Sequence, residues 1–139
     1  MKVSEIMSRN LATASSGETL AQAGHKMRTR DVGILPVVED GKIIGVLTDR
    51  DIVLRAVSVA MRPHMTIVRE VMTRKAICCY DDQDVAEVTL LMEKNRIRRV
   101  FVLDRNEKLT GVISLDDLAV KSETERLSGH VLGKVSAAA

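Results

Sequence analysis

The sequence predicts a mixed α/β fold, α+β-like in content, in which two pseudo-symmetric β-α-β-β-α repeats pack sheet to sheet. Three observations predict it. First, the chain says nearly the same thing twice: Val3-Ser4-Glu5-Ile6-Met7-Ser8-Arg9 returns as Val68-Arg69-Glu70-Val71-Met72-Thr73-Arg74, and Val32 through Val38 return as Ile97 through Leu103. Second, each copy alternates helix-spaced and strand-like apolar runs in the same order. Third, Gly45-Val46-Leu47-Thr48-Asp49-Arg50-Asp51 becomes Gly111-Val112-Ile113-Ser114-Leu115-Asp116-Asp117, so polar residues repeat along with apolar ones. Two copies are too few for a solenoid, which generally needs about three repeats to bury a continuous core. They are expected to pack on each other as one unit carrying two related sites.

The elements follow in order. The first repeat, 1–57, opens with a helical turn around Glu5-Ile6-Met7 and a short extended piece at Leu11-Ala12-Thr13-Ala14. Thr19 to Arg30 is a helix, with Leu20, Ala23, Gly24 and Met27 on one face. Ile34 to Val38 is a buried strand, with Pro36 near its start where a missing donor is tolerable. Glu39-Asp40-Gly41-Lys42 is a hairpin turn built on an Asp-Gly pair, and Lys42 to Leu47 is the returning strand. Thr48 opens a helix whose expected apolar contacts are Ile52, Val53, Leu54, Ala56 and Val57, with Arg50 and Arg55 toward solvent. A linker follows at 58–67.

The second repeat, 68–122, runs in parallel. Ala76 to Cys79 is the extended piece, and Asp84 to Asn95 is a helix with Val85, Val88, Leu91 and Met92 inward. Val100 to Leu103 and Leu109 to Ile113 are the strands, joined by a turn at Asp104 to Lys108. Ser114 opens the last helix. The tail, 123–139, mixes charges with Leu127, Val131, Leu132 and Val135 and is expected to prolong that helix, although Gly129 and Gly133 weaken it.

Bulk composition removes several classes of function. The 139 residues fit one domain or two small halves. With Tyr80, Phe101 and no Trp, the core must be aliphatic, and stacking platforms for single-stranded nucleic acid are missing. A net charge of +2 argues for no nucleic acid partner. No apolar run is long enough to span a membrane, and the opening residues do not form a secretory signal. Cys78 and Cys79 stand alone, without a metal-ligand pattern, and read as partly buried strand thiols in a reducing cytoplasm. His25, His64 and His130 are scattered. No nucleophile has an identifiable base, so no catalytic residue, metal or required cofactor is expected.

The chemistry therefore rests on Thr48-x-x-Asp51 and Ser114-x-x-Asp117. A hydroxyl followed three residues later by a carboxylate is first of all a helix-capping pattern. Two further features point beyond capping. Each follows a Gly-containing strand, so that backbone amides are expected to converge where a phosphate would sit. Each also offers a carboxylate suited to ribose hydroxyls.

Val32-x-x-Leu35-Pro36-Val37-Val38 with Gly45-x-x-Thr48-x-x-Asp51, followed by Ile97 to Asp104 with Gly111 to Asp117, resembles a tandem pair of cystathionine-β-synthase (CBS) domains, a Bateman module, over nearly the whole chain. The resemblance implies clefts between the repeats that bind AMP, ADP, ATP or S-adenosylmethionine. Asp51 and Asp117 would hold ribose hydroxyls, and Thr48 and Ser114 would contact ribose or phosphate. Adenine would lie near Val46 or Val112. By the same resemblance Ala12, Thr13 and Val32 join Asp117, while Ile77, Cys78 and Ile97 join Asp51. Family members often carry a basic residue facing the phosphate at the position of Arg98 or Arg99. The first repeat has Gly33 and Ile34 there, which makes the Asp117 cleft the better candidate for a phosphorylated ligand. A solvated basic surface is the competing reading of Arg98 and Arg99.

The function expected is a non-catalytic regulatory module, a homodimer that signals in trans to an effector protein. The alternative is a structural or protein-interaction domain whose clefts stay empty. A nucleotide-processing enzyme and a nucleic-acid binder rank below both.

Overall fold

Two hydrophobic cores organise the computed structural model, which describes residues 1–121. One compact unit is Ala12–Ala76, with Leu35, Val37, Leu47, Val68 and Val71 fully buried. The other joins Met1–Leu11 to the chain from Ile77 onward, with Val3, Met92, Val100, Ile113 and Leu118 fully buried. They are called here the Asp51 unit and the Asp117 unit. Both cores are aliphatic, as the near-absence of aromatics requires. The tail expectations fall on residues beyond 121, outside the described part.

Within the Asp51 unit, helix α1 (Leu20–Arg30) starts at Thr19 because its Oγ1 accepts from the Gln22 amide at 3.1 Å while the Gln22 side chain accepts from the Thr19 amide at 2.9 Å. It ends where Asp31 turns left-handed, with φ 51°. Strands β1 (Ile34–Glu39) and β2 (Lys42–Thr48) form an antiparallel hairpin. Asp40 and Gly41 both take positive φ between them, 53° and 77°, the conformation of a two-residue turn matched to strand twist. Helix α2 (Asp49–Arg55) follows at once.

The Asp117 unit repeats this order. Strand β3 (Cys78–Tyr80) lies parallel to β4 (Arg99–Leu103), which pairs antiparallel with β5 (Leu109–Ser114). Helix α3 (Val85–Asn95) is capped by Asp84, whose Oδ1 accepts from the Ala86 amide, and it ends at left-handed Arg96, φ 54°. Helix α4 (Leu115–Lys121) closes the described chain. The duplication reaches fine detail: both hairpins carry a register shift at matched positions, Val37/Val38 and Val102/Leu103.

Two expectations change here. The extended piece Leu11-Ala12-Thr13-Ala14 does not form a strand; only Ala14 bridges to Val37. Its counterpart β3 aligns Cys78 with Phe101, and the residue matching Phe101 in the first repeat is Pro36. Proline has no N–H to donate, so the parallel ladder shrinks to the Ala14 amide on the Pro36 carbonyl (2.9 Å) and the Val38 amide on the Ala14 carbonyl (2.8 Å). The inward face expected for α2 is also corrected. Ile52 is half-buried and Ala56 buried, but Val53, Leu54 and Val57 are each more than half exposed. A helix of two turns can bury only one narrow stripe.

The compact units also cut across the repeats. The opening segment of each repeat is built into the unit that carries the body of the other. Ser8 and Val112 exchange both backbone hydrogen bonds at 2.9 Å, and Val46 and Thr73 do the same at 2.8 and 2.9 Å. The glycines before the two valines make this approach possible. A Cβ on Gly45 would collide with the Thr73 carbonyl oxygen, and one on Gly111 would lie 2.6 Å from that of Ser8. The end of the expected linker is packed too: Thr66 is buried, its carbonyl accepts from the Leu20 amide at 2.9 Å, and Ile67 bridges to Thr19.

Candidate functional site

The matched hydroxyl–carboxylate pairs form the same reciprocal cap in both units. Oδ2 of Asp51 accepts from the Thr48 amide at 3.0 Å, and Oγ1 of Thr48 accepts from the Asp51 amide at 3.0 Å. Asp117 and Ser114 repeat this at 3.0 and 3.1 Å. The capping reading of these residues is therefore correct in itself. It also fixes both carboxylates against the end of a strand, with their orientation set before any ligand arrives.

Asp51 has further partners. The Thr73 hydroxyl donates to its Oδ1 at 3.1 Å, and the Arg55 guanidinium lies 3.7 Å from the same oxygen. That guanidinium also donates to the carbonyls of Val71 and Met72 at 3.0 and 3.1 Å, so Arg55 is not the plain solvent-facing residue expected from its position. An ionised carboxylate offers about four acceptor positions, so Asp51 keeps acceptor capacity beyond these partners.

The expected convergence of backbone amides is corrected for the Asp51 end, where all four are engaged. In the Asp51 unit the Thr48 and Asp51 amides serve the cap, the Asp49 amide donates to the Gly33 carbonyl at 2.9 Å, and the Arg50 amide donates to Asp49 Oδ1 at 2.8 Å. In the Asp117 unit Ser114 and Asp117 are engaged likewise, and the Leu115 amide donates to the Arg98 carbonyl at 3.0 Å. At the Asp51 end a phosphate must rely on side chains; at the Asp117 end Leu115 has no side-chain acceptor to engage the Asp116 amide as Asp49 engages that of Arg50.

Side chains suited to a phosphate are present in one unit. Arg98, Arg99, Ser114, Leu115 and Asp116 line an open pocket of about 300 Å³ beside the Asp117 cap. Both arginines are exposed, and neither forms an ion pair among the described residues. Sequence reasoning named Arg98, Arg99 and Ser114 but missed Leu115 and Asp116, which occupy the unassigned middle of the Ser-x-x-Asp motif. Val112 is half-buried on β5, and Val46 is buried on β2.

The remaining expected contacts are divided between the units. Ala12, Thr13 and Val32 belong to the Asp51 unit and are half-buried, as Ile77, Cys78 and Ile97 are in the Asp117 unit. Burial first, then the nearby Glu107 charge, pushes the Cys78 thiol up to about 11. Cys79 is pushed up to about 12 by burial, then by Cys78 and Asp81. Both thiols are accordingly poor nucleophiles at neutral pH. Among the described residues, no group of three or more His, Cys, Asp or Glu could hold a metal. No described helix is long and apolar enough to cross a membrane.

A duplicated α/β hairpin unit, with a strand running straight into a reciprocally capped helix in each copy, defines a tandem-repeat module. The CBS domain family model matches residues 3–58 and 68–122, and the chain belongs to the CBS domain family. It is 35% identical over 134 residues to the CBS domain-containing protein YhcV of Bacillus subtilis, covering 96% of this chain and 94% of that one. It is 28% identical over 139 residues to inosine-5′-monophosphate dehydrogenase of Methanocaldococcus jannaschii, spanning 99% of this chain and only 27% of that enzyme. Among solved structures it resembles the CBS domain pair of protein MJ0100 in complex with 5′-methylthioadenosine and S-adenosyl-L-methionine. The TM-score is 0.71 and the identity 27%, over 94% of this chain and 97% of that one.

Proposed function

We propose that this protein is a non-catalytic regulatory module that binds adenine nucleotides or other adenosyl ligands and reports their presence to an effector protein in trans. The duplicated carboxylate cap with Arg98 and Arg99 beside one copy carries the reading. Asp51 and Asp117 accept ribose hydroxyls, Thr48 and Ser114 lie next to the ribose or phosphate, and Val46 and Val112 supply apolar surface for adenine. The pocket lined by Arg98 and Arg99 receives the phosphate of AMP, ADP or ATP. The MJ0100 pair, with its adenosyl ligands, supports this class of molecule.

The working form is a homodimer in the cytoplasm. Its support is exposed apolar side chains on a helix of each unit: Leu54 on α2 is 51% exposed, and Val120, at the matching position of α4, is 81% exposed. A ligand shifts only an equilibrium between states that it contacts differently, so the dimer provides the element to be rearranged. The same exposed side chains favour a second reading, a protein-interaction domain that binds no small molecule.

Thermal denaturation with AMP, ADP, ATP and S-adenosylmethionine separates the two. Sensing predicts stabilisation that grows with ligand, about 2.7 kcal/mol at roughly 100 times the dissociation constant. It also predicts that Asp117→Ala and Asp51→Ala together abolish the shift. No shift with any of the four leaves the interaction reading standing.

A further inference from the structure

The two caps share one backbone frame and differ sharply in charge around it. Ile34 pairs with Thr48 and Arg99 pairs with Ser114, and the Asp49 and Leu115 amides donate to the Gly33 and Arg98 carbonyls. Position by position, Gly33 therefore stands for Arg98, Ile34 for Arg99, and Asp49 for Leu115. At the Asp117 end two arginines face the pocket with one aspartate, Asp116. At the Asp51 end both arginines are gone, and the carboxylate inside the motif stands one position earlier, at Asp49, with Arg50 in the place of Asp116. A Cβ built on Gly33 would lie 2.9 Å from Asp49 Oδ2 and 3.5 Å from Oδ1. The Asp49 carboxylate thus sits where the side chain matching Arg98 would begin. Among the described residues no cation pairs with it. Arg50, which replaces Asp116, adds one positive charge against this carboxylate rather than restoring two arginines.

Resting on the adenosyl-binding reading above, we propose that Asp49 is a charge filter. It makes the Asp51 end take adenosyl ligands whose 5′ substituent carries no negative charge, and reject 5′-phosphates. A phosphate brought to this end meets a like charge in place of a guanidinium fork. Such repulsion is strong at short range near a protein surface and weakens as salt screens it. The two ends then read different chemistry: a phosphorylated adenosine at Arg98 and Arg99, and an uncharged or cationic adenosyl compound at Asp49.

The test is calorimetric titration of the full chain carrying Asp117→Ala, which leaves the Asp51 end intact, with AMP and with 5′-methylthioadenosine. The proposal expects 5′-methylthioadenosine to bind and AMP to bind at least about tenfold more weakly. Adding Asp49→Asn, which keeps the shape and removes the charge, should strengthen AMP about tenfold and move 5′-methylthioadenosine by less than about twofold. Without the Asn variant, raising the salt should narrow the gap between the two ligands. AMP binding as tightly as 5′-methylthioadenosine, or a ratio insensitive to both Asp49→Asn and salt, overturns the filter. If the unsubstituted protein binds AMP but the Asp117→Ala protein binds neither ligand, the filter falls and the adenosyl reading stands. If the unsubstituted protein binds neither ligand, the adenosyl reading falls and takes the filter with it.

Discussion

The Thr73 hydroxyl donates to Asp51 Oδ1 at 3.1 Å, so the carboxylate that caps α2 is also tied to the segment that opens the second repeat. Asp51 is 9% exposed, and losing a partner there leaves a largely desolvated oxygen short of one bond. Thr73→Val, which keeps the shape, should cost about 1 kcal/mol. Asp51→Ala removes the cap as well and should cost more, about 2–3 kcal/mol. Urea denaturation checks both, and equal midpoints for the two variants would show that Asp51 acts only through Thr73.

Gly45 and Gly111 differ from the other glycines in what lies over them. Alanine at either one drives a methyl into a backbone carbonyl, of Thr73 or Ser8, that itself accepts from the Val46 or Val112 amide. Each substitution should destabilise by about 1–3 kcal/mol, the usual range for overpacking. Gly24, inside α1, has no atom within 4 Å of its would-be Cβ. Gly24→Ala should instead stabilise by about 0.5–1 kcal/mol through helix propensity. Melting of the three variants side by side gives the answer; the same sign in all three would contradict the close crossing.

The raised Cys78 and Cys79 thiols give alkaline pH a specific effect. Each holds its proton more tightly folded than unfolded, so its contribution is fully present below the unfolded value, taken as 9.0. It is lost as pH rises toward about 11 for Cys78 and about 12 for Cys79. Stability should fall with pH across that window, by up to about 1.4 kcal/mol per pH unit for each thiol. The Cys78→Ala/Cys79→Ala protein should show a flatter profile. At neutral pH an alkylating reagent should label the folded protein far more slowly than the unfolded chain, and equal rates would refute the burial.

The exposed stripe on α2 predicts an effect on assembly rather than on folding. Leu54→Glu should change stability by no more than about 0.5 kcal/mol, as expected for a surface position. It should lower the mass seen by light scattering from a dimer to a monomer. A dimer that persists places the contact elsewhere.

Much of this was legible in the sequence because the duplication says where to look. Thr19 and Asp84 mark two helix starts, Asp40-Gly41 marks a hairpin, and the Thr48–Asp51 and Ser114–Asp117 caps form as their spacing dictates. What stayed hidden depends on contacts distant along the chain. Nothing local in Gly45 says that the Thr73 carbonyl lies over it, so the glycine reads as phosphate-friendly when its structural work is close approach. Pro36 reads as harmless at a strand start, yet it lacks the amide that would have extended the parallel ladder from Ala14 back past Thr13. Val53, Leu54 and Val57 look like core because hydropathy cannot tell a buried face from an exposed one. Leu115 and Asp116 sat unread between two residues whose roles were plain, and Asp49 gains meaning only once Gly33 is placed beside it.

In the proposed function, Arg98 and Arg99 make the Asp117 end a phosphate-reading adenosyl site. Calorimetric titration of the full chain and its Arg98→Ala variant with AMP and adenosine tests it most directly. The predicted result is a loss of AMP affinity of about 1.5–3 kcal/mol in the variant, with adenosine affinity unchanged. AMP binding equally well to both proteins, or adenosine weakened as much as AMP, would contradict it.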